Sequence, residues 1–256
     1  MTGVPIGATC GVPISSPNVV SATSGRISCT APAPAGSTNA YFRIEGNSAE
    51  GTIFEGCIAS GPRQVTTPSG GTHLCDGTNG GANPSPGATL TTQIDEAGRE
   101  NGFDYDGTYS NSFQDFFITR IGSSAQTSTQ FWGVLENRIF TARGGCQEQV
   151  QAQVEGLWAF DAFNANAFLK IEPEYAIVPV GQNIVTVNVV GGNSDGNDRP
   201  YAGATIFQGT TTTVSDANGN IQILVPDIPG CYQYKAMGNS AIRSNTFYLT
   251  VLPRST

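Results

Sequence analysis

The sequence predicts a mostly β protein: an α+β domain with one short helix, followed by a β-sandwich. Its 256 residues are enough for two domains. The chain contains 32 Gly and 15 Pro but only 12% charged residues, so turn formers are abundant and a helical bundle is excluded. Short segments in which apolar and polar residues alternate recur between turns, and this period is typical of half-buried strands.

The N-terminal segment, residues 1–39, predicts an extended arm. It is rich in Gly, Pro, Ser, Thr and Ala and has only short apolar runs. Both Cys10 and Cys29 lie in it, and a disulfide between them would close the arm into a ring. A disordered linker is the alternative, although linkers seldom contain two cysteines.

Residues 40–171 predict the α+β domain, which begins with two strands. Alternation of Ala40, Phe42 and Ile44 with polar neighbours indicates the first, and residues 52–55 form the second. The turn-rich stretch 61–88 then predicts a long loop held by a cysteine.

The single helix is predicted over residues 91–101. Hydroxyl and acidic residues lie at its start, where the free backbone N–H groups and the helix dipole favour them. Asn101-Gly102 ends the helix. Further strands are expected at 115–121 and 157–160. Between them, a hairpin of 131–135 and 138–141 turns at Glu136-Asn137.

The last segment, residues 172–256, predicts a β-sandwich. It contains no helical pattern, and turns separate short apolar runs about every 8–12 residues. The predicted strands cover 184–190, 204–207, 221–225, 232–236 and 247–251.

Charge and cysteine content restrict the partners and the compartment. A net charge of −8 and a pI near 4.5 repel phosphate backbones and anionic lipid, so no nucleic-acid binding is expected. No apolar run is long enough to span a membrane. The six cysteines form no CxxC pair, which favours disulfides over zinc and predicts a secreted, extracellular protein.

Several motifs keep a common order along residues 40–170. They are Thr52-Ile53-Phe54-Glu55-Gly56, Cys75-Asp76-Gly77-Thr78-Asn79, Asp104-Tyr105-Asp106-Gly107-Thr108, Asp115-Phe116-Phe117-Ile118-Thr119, Phe131-Trp132-Gly133, Gly144-Gly145-Cys146-Gln147 and Leu157-Trp158-Ala159-Phe160-Asp161-Ala162-Phe163. This segment resembles DUF4430, a secreted bacterial and fungal domain similar to the C-terminal β-domain of transcobalamin. The resemblance implies a β-grasp-like fold, no established catalytic activity and a disulfide between Cys75 and Cys146.

Residues 173–253 resemble the bacterial Ig-like or transthyretin-like repeats of surface proteins. The resemblance rests on Tyr201-Ala202-Gly203-Ala204-Thr205, Ser215-Asp216-Ala217-Asn218-Gly219, Pro229-Gly230-Cys231-Tyr232-Gln233-Tyr234 and Arg243-Ser244-Asn245. It implies an Ig-like sandwich.

The remaining cysteines then predict a link between the domains. If Cys75 pairs with Cys146, and Cys10 with Cys29, the pair left over is Cys57 with Cys231. A free buried Cys231, or a bond from it to a second chain, are the alternatives.

Acidic residues offer a hypothesis of catalysis, which we do not favour. Paired carboxylates are what glycoside hydrolysis needs. A helix start and a turn account for several of the acids, and His73 in its loop lies in no nucleophile motif. Oxygen ligands for calcium are present at Asp104/Asp106 and at Asp195/Asn197/Asp198, but neither stretch matches the complete EF-hand loop pattern. We therefore expect no metal and no cofactor. The acids concerned are Asp95, Glu96, Glu100, Asp104, Asp106 and Asp115.

A ligand groove is expected between the loops 61–88 and 104–111. In this hypothesis the groove is where three side chains converge, those of Asp76, Tyr105 and Tyr109. Trp132 would join them if its ring lay on an exposed sheet face, although the apolar strands around Trp132 and Trp158 favour a core position for both.

Three functions follow, and the first is preferred. It is a secreted or cell-surface, non-catalytic, adhesion-type protein that binds a glycan, a small molecule or a protein. The second is a structural subunit that forms homo-oligomers by adding its arm to a neighbour's sheet. The third is a carbohydrate-active enzyme, and corrinoid transport has only the support of fold analogy.

Overall fold

The computed structural model describes residue 10 and residues 23–29, 31–193 and 196–253. The predicted mostly β fold with a short helix is confirmed. The first strands are β1 (Thr23–Gly25), β2 (Thr38–Glu45), β3 (Thr52–Ser60), β4 (Arg63–Thr67), β5 (Gly71–Cys75), β6 (Tyr105–Ser110), β7 (Asp115–Ile121), β8 (Ser124–Ala125), β9 (Trp132–Glu136), β10 (Ile139–Phe140) and β11 (Gly156–Phe160). The helix α1 covers Leu90–Asn101, between β5 and β6. The remaining strands are β12 (Ala167–Glu172), β13 (Tyr175–Pro179), β14 (Ile184–Gly192), β15 (Asp198–Pro200), β16 (Thr205–Gln208), β17 (Thr211–Val214), β18 (Asn220–Leu224), β19 (Gly230–Tyr234), β20 (Ala241–Ile242) and β21 (Phe247–Leu252).

The chain divides into two compact units. Of the described residues, those between 29 and 165 form the α+β unit, and those up to 28 and from 166 onward form the all-β unit. We predicted a domain boundary near residue 171. Strand β12 begins earlier, at Ala167, and already pairs with β14 of the all-β unit. Similarly, β1 pairs with β13, which places this part of the predicted arm in the all-β unit.

The main sheet of the α+β unit has the order β10-β9-β11-β2-β3. Its central pair, β11 and β2, is parallel, whereas the other pairs are antiparallel. A mixed sheet with first and last strands side by side at its centre and a helix across one face is the β-grasp-like arrangement that we expected. One face of this sheet packs against α1, and the core between them includes Phe42, Ile94 and Trp158.

The helix α1 begins at Leu90, one residue before the prediction, because Thr89 caps it. The Thr89 hydroxyl accepts a hydrogen bond from the Thr92 backbone N–H at 3.2 Å, and the Thr92 hydroxyl accepts one from the Thr89 N–H at 2.8 Å. At the other end Gly102 adopts a left-handed conformation with φ of 76°.

Two segments that we predicted as loops contain strands. Residues 61–88 include the hairpin of β4 and β5, and residues 104–111 include β6, which pairs with β7. The loop predictions were wrong because apolar and polar side chains alternate only weakly along these strands. For example, Val65 is the only large aliphatic side chain of β4. The β9–β10 hairpin is confirmed, although its turn lies at Asn137 and Arg138, with φ of 46° and 69°.

The all-β unit is a β-sandwich. One sheet has the order β1-β13-β21-β19, and the other has the order β15-β14-β12-β20 with β18 also paired to β14. Buried residues of both sheets form one apolar core, with Leu169 and Val187 from one sheet and Val178 and Leu249 from the other. The predicted sandwich is confirmed.

Of the three expected disulfides, one is correct. Cys75 is bonded to Cys146, as the resemblance implied. The other two bonds join Cys10 to Cys231 and Cys29 to Cys57, so the predicted pairs Cys10–Cys29 and Cys57–Cys231 are wrong. Each observed bond joins cysteines of one compact unit, because the division between the units falls between Ser28 and Cys29.

Candidate functional site

Two of the four predicted ligand-binding residues, Asp76 and Trp132, are buried in the α+β unit. Asp76 is 6% exposed, and its Oδ1 accepts hydrogen bonds from the Thr78 backbone N–H at 2.8 Å and hydroxyl at 2.7 Å. Trp132 is buried, and its indole N–H donates to the Ser124 carbonyl at 3.1 Å. Trp158 is also buried. Asp76 therefore shapes a turn, and both tryptophans belong to the core.

The two tyrosines lie on β6 but have different surroundings. The ring of Tyr109 stacks on His73 with centroids 3.5 Å apart. The Tyr105 hydroxyl donates to Asp95 Oδ1 at 2.8 Å. Tyr105 and Phe103 line an open cavity of about 380 Å³. Burial, and after it the Asp95 carboxylate, raise the pKa of Tyr105 above its ordinary value.

Several of the candidate acids are bound to neighbouring groups. Asp95 accepts from Tyr105 and pairs with Arg63 at 3.2 Å. Asp106 accepts from the Ser69 N–H at 2.9 Å and hydroxyl at 2.7 Å. Burial acts to raise the pKa of Asp106, but hydrogen bonds from Ser69 and Gly107 outweigh it and lower the pKa. These bonds give Asp95 and Asp106 structural roles.

Within the described ranges, no group of three or more His, Cys, Asp or Glu side chains is placed to hold a metal ion. Asp195, in one of the two stretches where calcium was weighed and not expected, lies outside the described residues. The helices that the structure describes include none with the length and apolar character to cross a membrane.

A second open cavity lies in the all-β unit, and we call it the aromatic groove. It has a volume of about 490 Å³ and lies between the β16–β17 turn, the end of β18 and β19. Phe207, Tyr232 and Tyr234 supply its aromatic walls, and Leu224 adds an aliphatic one. Phe207 is 54% exposed and Leu224 is 56% exposed, so large apolar surface is presented to solvent.

Hydrogen bonds hold the walls of the aromatic groove in position. The Tyr232 hydroxyl donates to the Ile228 carbonyl at 2.9 Å, which orients its ring. Gln208 Nε2 donates to the Leu224 carbonyl at 3.1 Å, which fixes the β16–β17 turn beside β18. Burial raises the pKa of Tyr234, so this phenol stays protonated.

The polar groups of the aromatic groove are uncharged. They are the amides of Gln208 and Gln233 and the hydroxyls of Thr211 and the two tyrosines, and no lining residue is Asp, Glu, Lys, Arg or His. Such a surface can bury an apolar face of a ligand and form hydrogen bonds with its polar groups. It contains no carboxyl or imidazole group for acid–base chemistry.

The sequence reasoning missed this groove. Phe207 and Tyr232 fall in separate predicted strands, and only the sandwich brings them together. One signal was available, since Phe207, Leu224 and Ile228 are large apolar residues beside turns.

Comparison with known protein families and with curated proteins finds no match to this chain. The resemblances to DUF4430 and to Ig-like repeats therefore stay predictions.

Proposed function

We propose that the protein is a secreted, non-catalytic, adhesion-type protein that binds a neutral carbohydrate in the aromatic groove of its all-β unit. The single observation that carries this proposal is a lining of aromatic rings and amides without a charged residue. The three disulfides support an oxidising, extracellular environment.

Carbohydrate is the ligand class that this chemistry favours. A pyranose ring has a face of C–H groups that packs on an aromatic ring and a rim of hydroxyls that needs both donors and acceptors. In the groove, Tyr232 and Phe207 offer ring surface. Gln233, which is exposed, and Thr211 offer an amide and a hydroxyl for the sugar rim.

Binding is favoured over hydrolysis for a physical reason. Glycoside hydrolysis requires two carboxyl groups on either side of the scissile bond. The groove has none among its lining residues, and two of the candidate acids of the α+β unit, Asp95 and Asp106, are held by Tyr105 and Ser69.

The proposal predicts that single alanine substitutions in the groove weaken carbohydrate binding. The protein is screened on an immobilised array of neutral and acidic glycans, and the affinity for each hit is measured by calorimetry. Tyr232→Ala and Phe207→Ala are each expected to weaken binding roughly 5- to 10-fold, because an aromatic contact is worth about 1–1.4 kcal/mol.

Phe163→Ala is the matched control, since Phe163 is a 63% exposed aromatic residue of the α+β unit. It is expected to bind like the unmodified protein. Equal affinity in the Tyr232→Ala and Phe207→Ala variants, or no binding to any neutral glycan, would contradict the proposal.

A further inference from the structure

Two large apolar side chains lie side by side on the outer face of the sandwich, next to the aromatic groove. Ile184 of β14 and Leu224 of β18 are register partners in the antiparallel pair that these strands form. Side chains of directly opposed residues lie on the same sheet face with Cβ atoms about 4.5–5.5 Å apart. Both side chains are exposed, Ile184 by 40% and Leu224 by 56%. We call these two residues the apolar pair.

The apolar pair departs from the alternation along β14 and β18. The inward side chains of the two strands are aliphatic and belong to the buried core. The next outward pair, Thr186 and Gln222, is polar and exposed, and the pair after it is Asn188 and Asn220. Outward positions of sandwich strands are ordinarily polar because their side chains meet water. The apolar pair therefore exposes hydrocarbon surface at positions where the core does not need it.

Leu224 belongs to both surfaces, because it also lines the aromatic groove. On the groove side, its backbone N–H donates to Gln208 Oε1 at 3.4 Å and its carbonyl accepts from Gln208 Nε2 at 3.1 Å. On the other side, the Val225 N–H donates to the Asn183 carbonyl at 3.0 Å. The end of β18 is thus fixed from both sides, and the apolar wall of the groove continues across it to Ile184.

A neutral sugar alone makes poor use of the apolar pair. A hydroxyl group placed over aliphatic carbon loses its hydrogen bonds to water and gains no others. A hydrocarbon chain in the same place is stabilised by every methylene group that it buries. The ligand that suits both the groove and the apolar pair is therefore a sugar to which a hydrocarbon group is attached.

A second protein molecule fits the apolar pair less well. A stable protein interface takes about 20–30 residues from each side. Along its own strands the apolar surface ends at once, because the exposed neighbours Thr186 and Gln222 are polar. A surface of this width matches a hydrocarbon chain.

We propose that the aromatic groove binds a neutral glycoside with a hydrocarbon aglycone, so that the sugar lies in the groove and the hydrocarbon lies on Ile184 and Leu224. The hydrocarbon contact rests on the proposed function, since the same sugar occupies the groove in both. The groove supplies ring surface and hydrogen bonds to the sugar, and the apolar pair supplies affinity for the aglycone.

The test compares octyl and methyl β-D-glycosides of glucose and of galactose as ligands of the whole protein. Affinities are measured by calorimetry at concentrations below those at which the octyl glycosides form micelles. For at least one of the two sugars, the octyl glycoside is expected to bind ~10-fold or more tightly than the methyl glycoside. Burial of about two methylene groups already corresponds to this factor.

Ile184→Thr removes hydrocarbon from the apolar pair and keeps a β-branched side chain in the strand. It is expected to lower the octyl-to-methyl affinity ratio roughly 4-fold, as the loss of about one methylene contact does, and to leave the affinity for the methyl glycoside unchanged. Leu74→Thr is the matched control, because Leu74 is an aliphatic strand residue of the α+β unit with 44% exposure. It keeps both affinities.

NMR of the methyl groups gives an answer even if Ile184→Thr does not fold. In the unmodified protein, the octyl glycoside is expected to shift the methyl signals of Ile184 and Leu224, and the methyl glycoside is expected to leave that of Ile184 in place. Shifts of the Ile184 signal that are equal for both ligands would overturn the proposal.

Three further results would overturn it. They are equal affinity for octyl and methyl glycosides, an octyl gain that Ile184→Thr retains, and a dimer in light scattering that Ile184→Thr disrupts. The last result would assign the apolar pair to a second copy of the chain. Failure of the proposed function has a different signature, in which Tyr232→Ala leaves the affinity for the octyl glycoside unchanged and Ile184→Thr still lowers it.

Discussion

Replacement of Trp158 by alanine is expected to lower the free energy of unfolding of the α+β unit by about 3–5 kcal/mol. The side chain is 3% exposed and lies at the centre of the contact between α1 and the sheet. Its indole N–H donates to the Leu90 carbonyl at 3.2 Å, and its ring packs against Gly145. The variant therefore loses apolar contacts and leaves a cavity beneath the start of the helix.

Urea unfolding followed by far-UV circular dichroism measures this change. Phe113→Ala is the matched control, because this aromatic side chain is 71% exposed and its loss is expected to change stability by less than about 0.5 kcal/mol. A loss below about 1 kcal/mol for Trp158→Ala would show that the indole is not part of the core.

Removal of the Cys75–Cys146 disulfide is expected to lower the free energy of unfolding by a similarly large amount. The two cysteines are 71 residues apart, and in the loop-closure model a bond of this span stabilises the folded state by about 4.4 kcal/mol. Both sulfurs are also fully buried, so Cys75→Ala/Cys146→Ala removes packing as well. Chemical denaturation of the double variant, compared with the unmodified protein, measures the loss.

The Cys29–Cys57 bond provides the comparison within the same unit. Its span of 28 residues corresponds to about 3.6 kcal/mol, and Cys57 is exposed. Cys29→Ala/Cys57→Ala is therefore expected to be the more stable of the two double variants. The reverse order would mean that strain or residual unfolded structure, rather than loop closure and packing, determines these stabilities.

Local patterns in the sequence were sufficient to predict many of the elements. Strand β7 has the predicted bounds, and the helix α1 differs by one residue, because Asp115–Ile121 is strongly apolar and Asn101-Gly102 ends the helix clearly. The β4–β5 hairpin was not predictable in the same way. Its side chains are mostly polar, and it is held by contacts from outside the hairpin such as the Thr67 hydroxyl bond to the Gly107 carbonyl at 2.6 Å.

Pairings between distant residues were the part that sequence reasoning could not supply. The Cys10–Cys231 bond spans 221 residues, and nothing in the spacing of six cysteines distinguishes it from the alternatives. The aromatic groove could not be predicted for the same reason, since β16, β18 and β19 become neighbours only in the folded sandwich. Of the predicted ligand-binding residues, Trp132 and Asp76 satisfy structural needs that sequence composition does not reveal.

The central claim is that a neutral carbohydrate binds in the aromatic groove, and NMR chemical-shift mapping tests it most directly. A neutral glycan identified on the array is titrated into ¹⁵N-labelled protein, with backbone and side-chain amide signals followed. We predict that the largest shifts occur at Gln208, Thr211 and Gln233. Shifts concentrated instead around Asp95 and Tyr105 in the α+β unit would contradict this account.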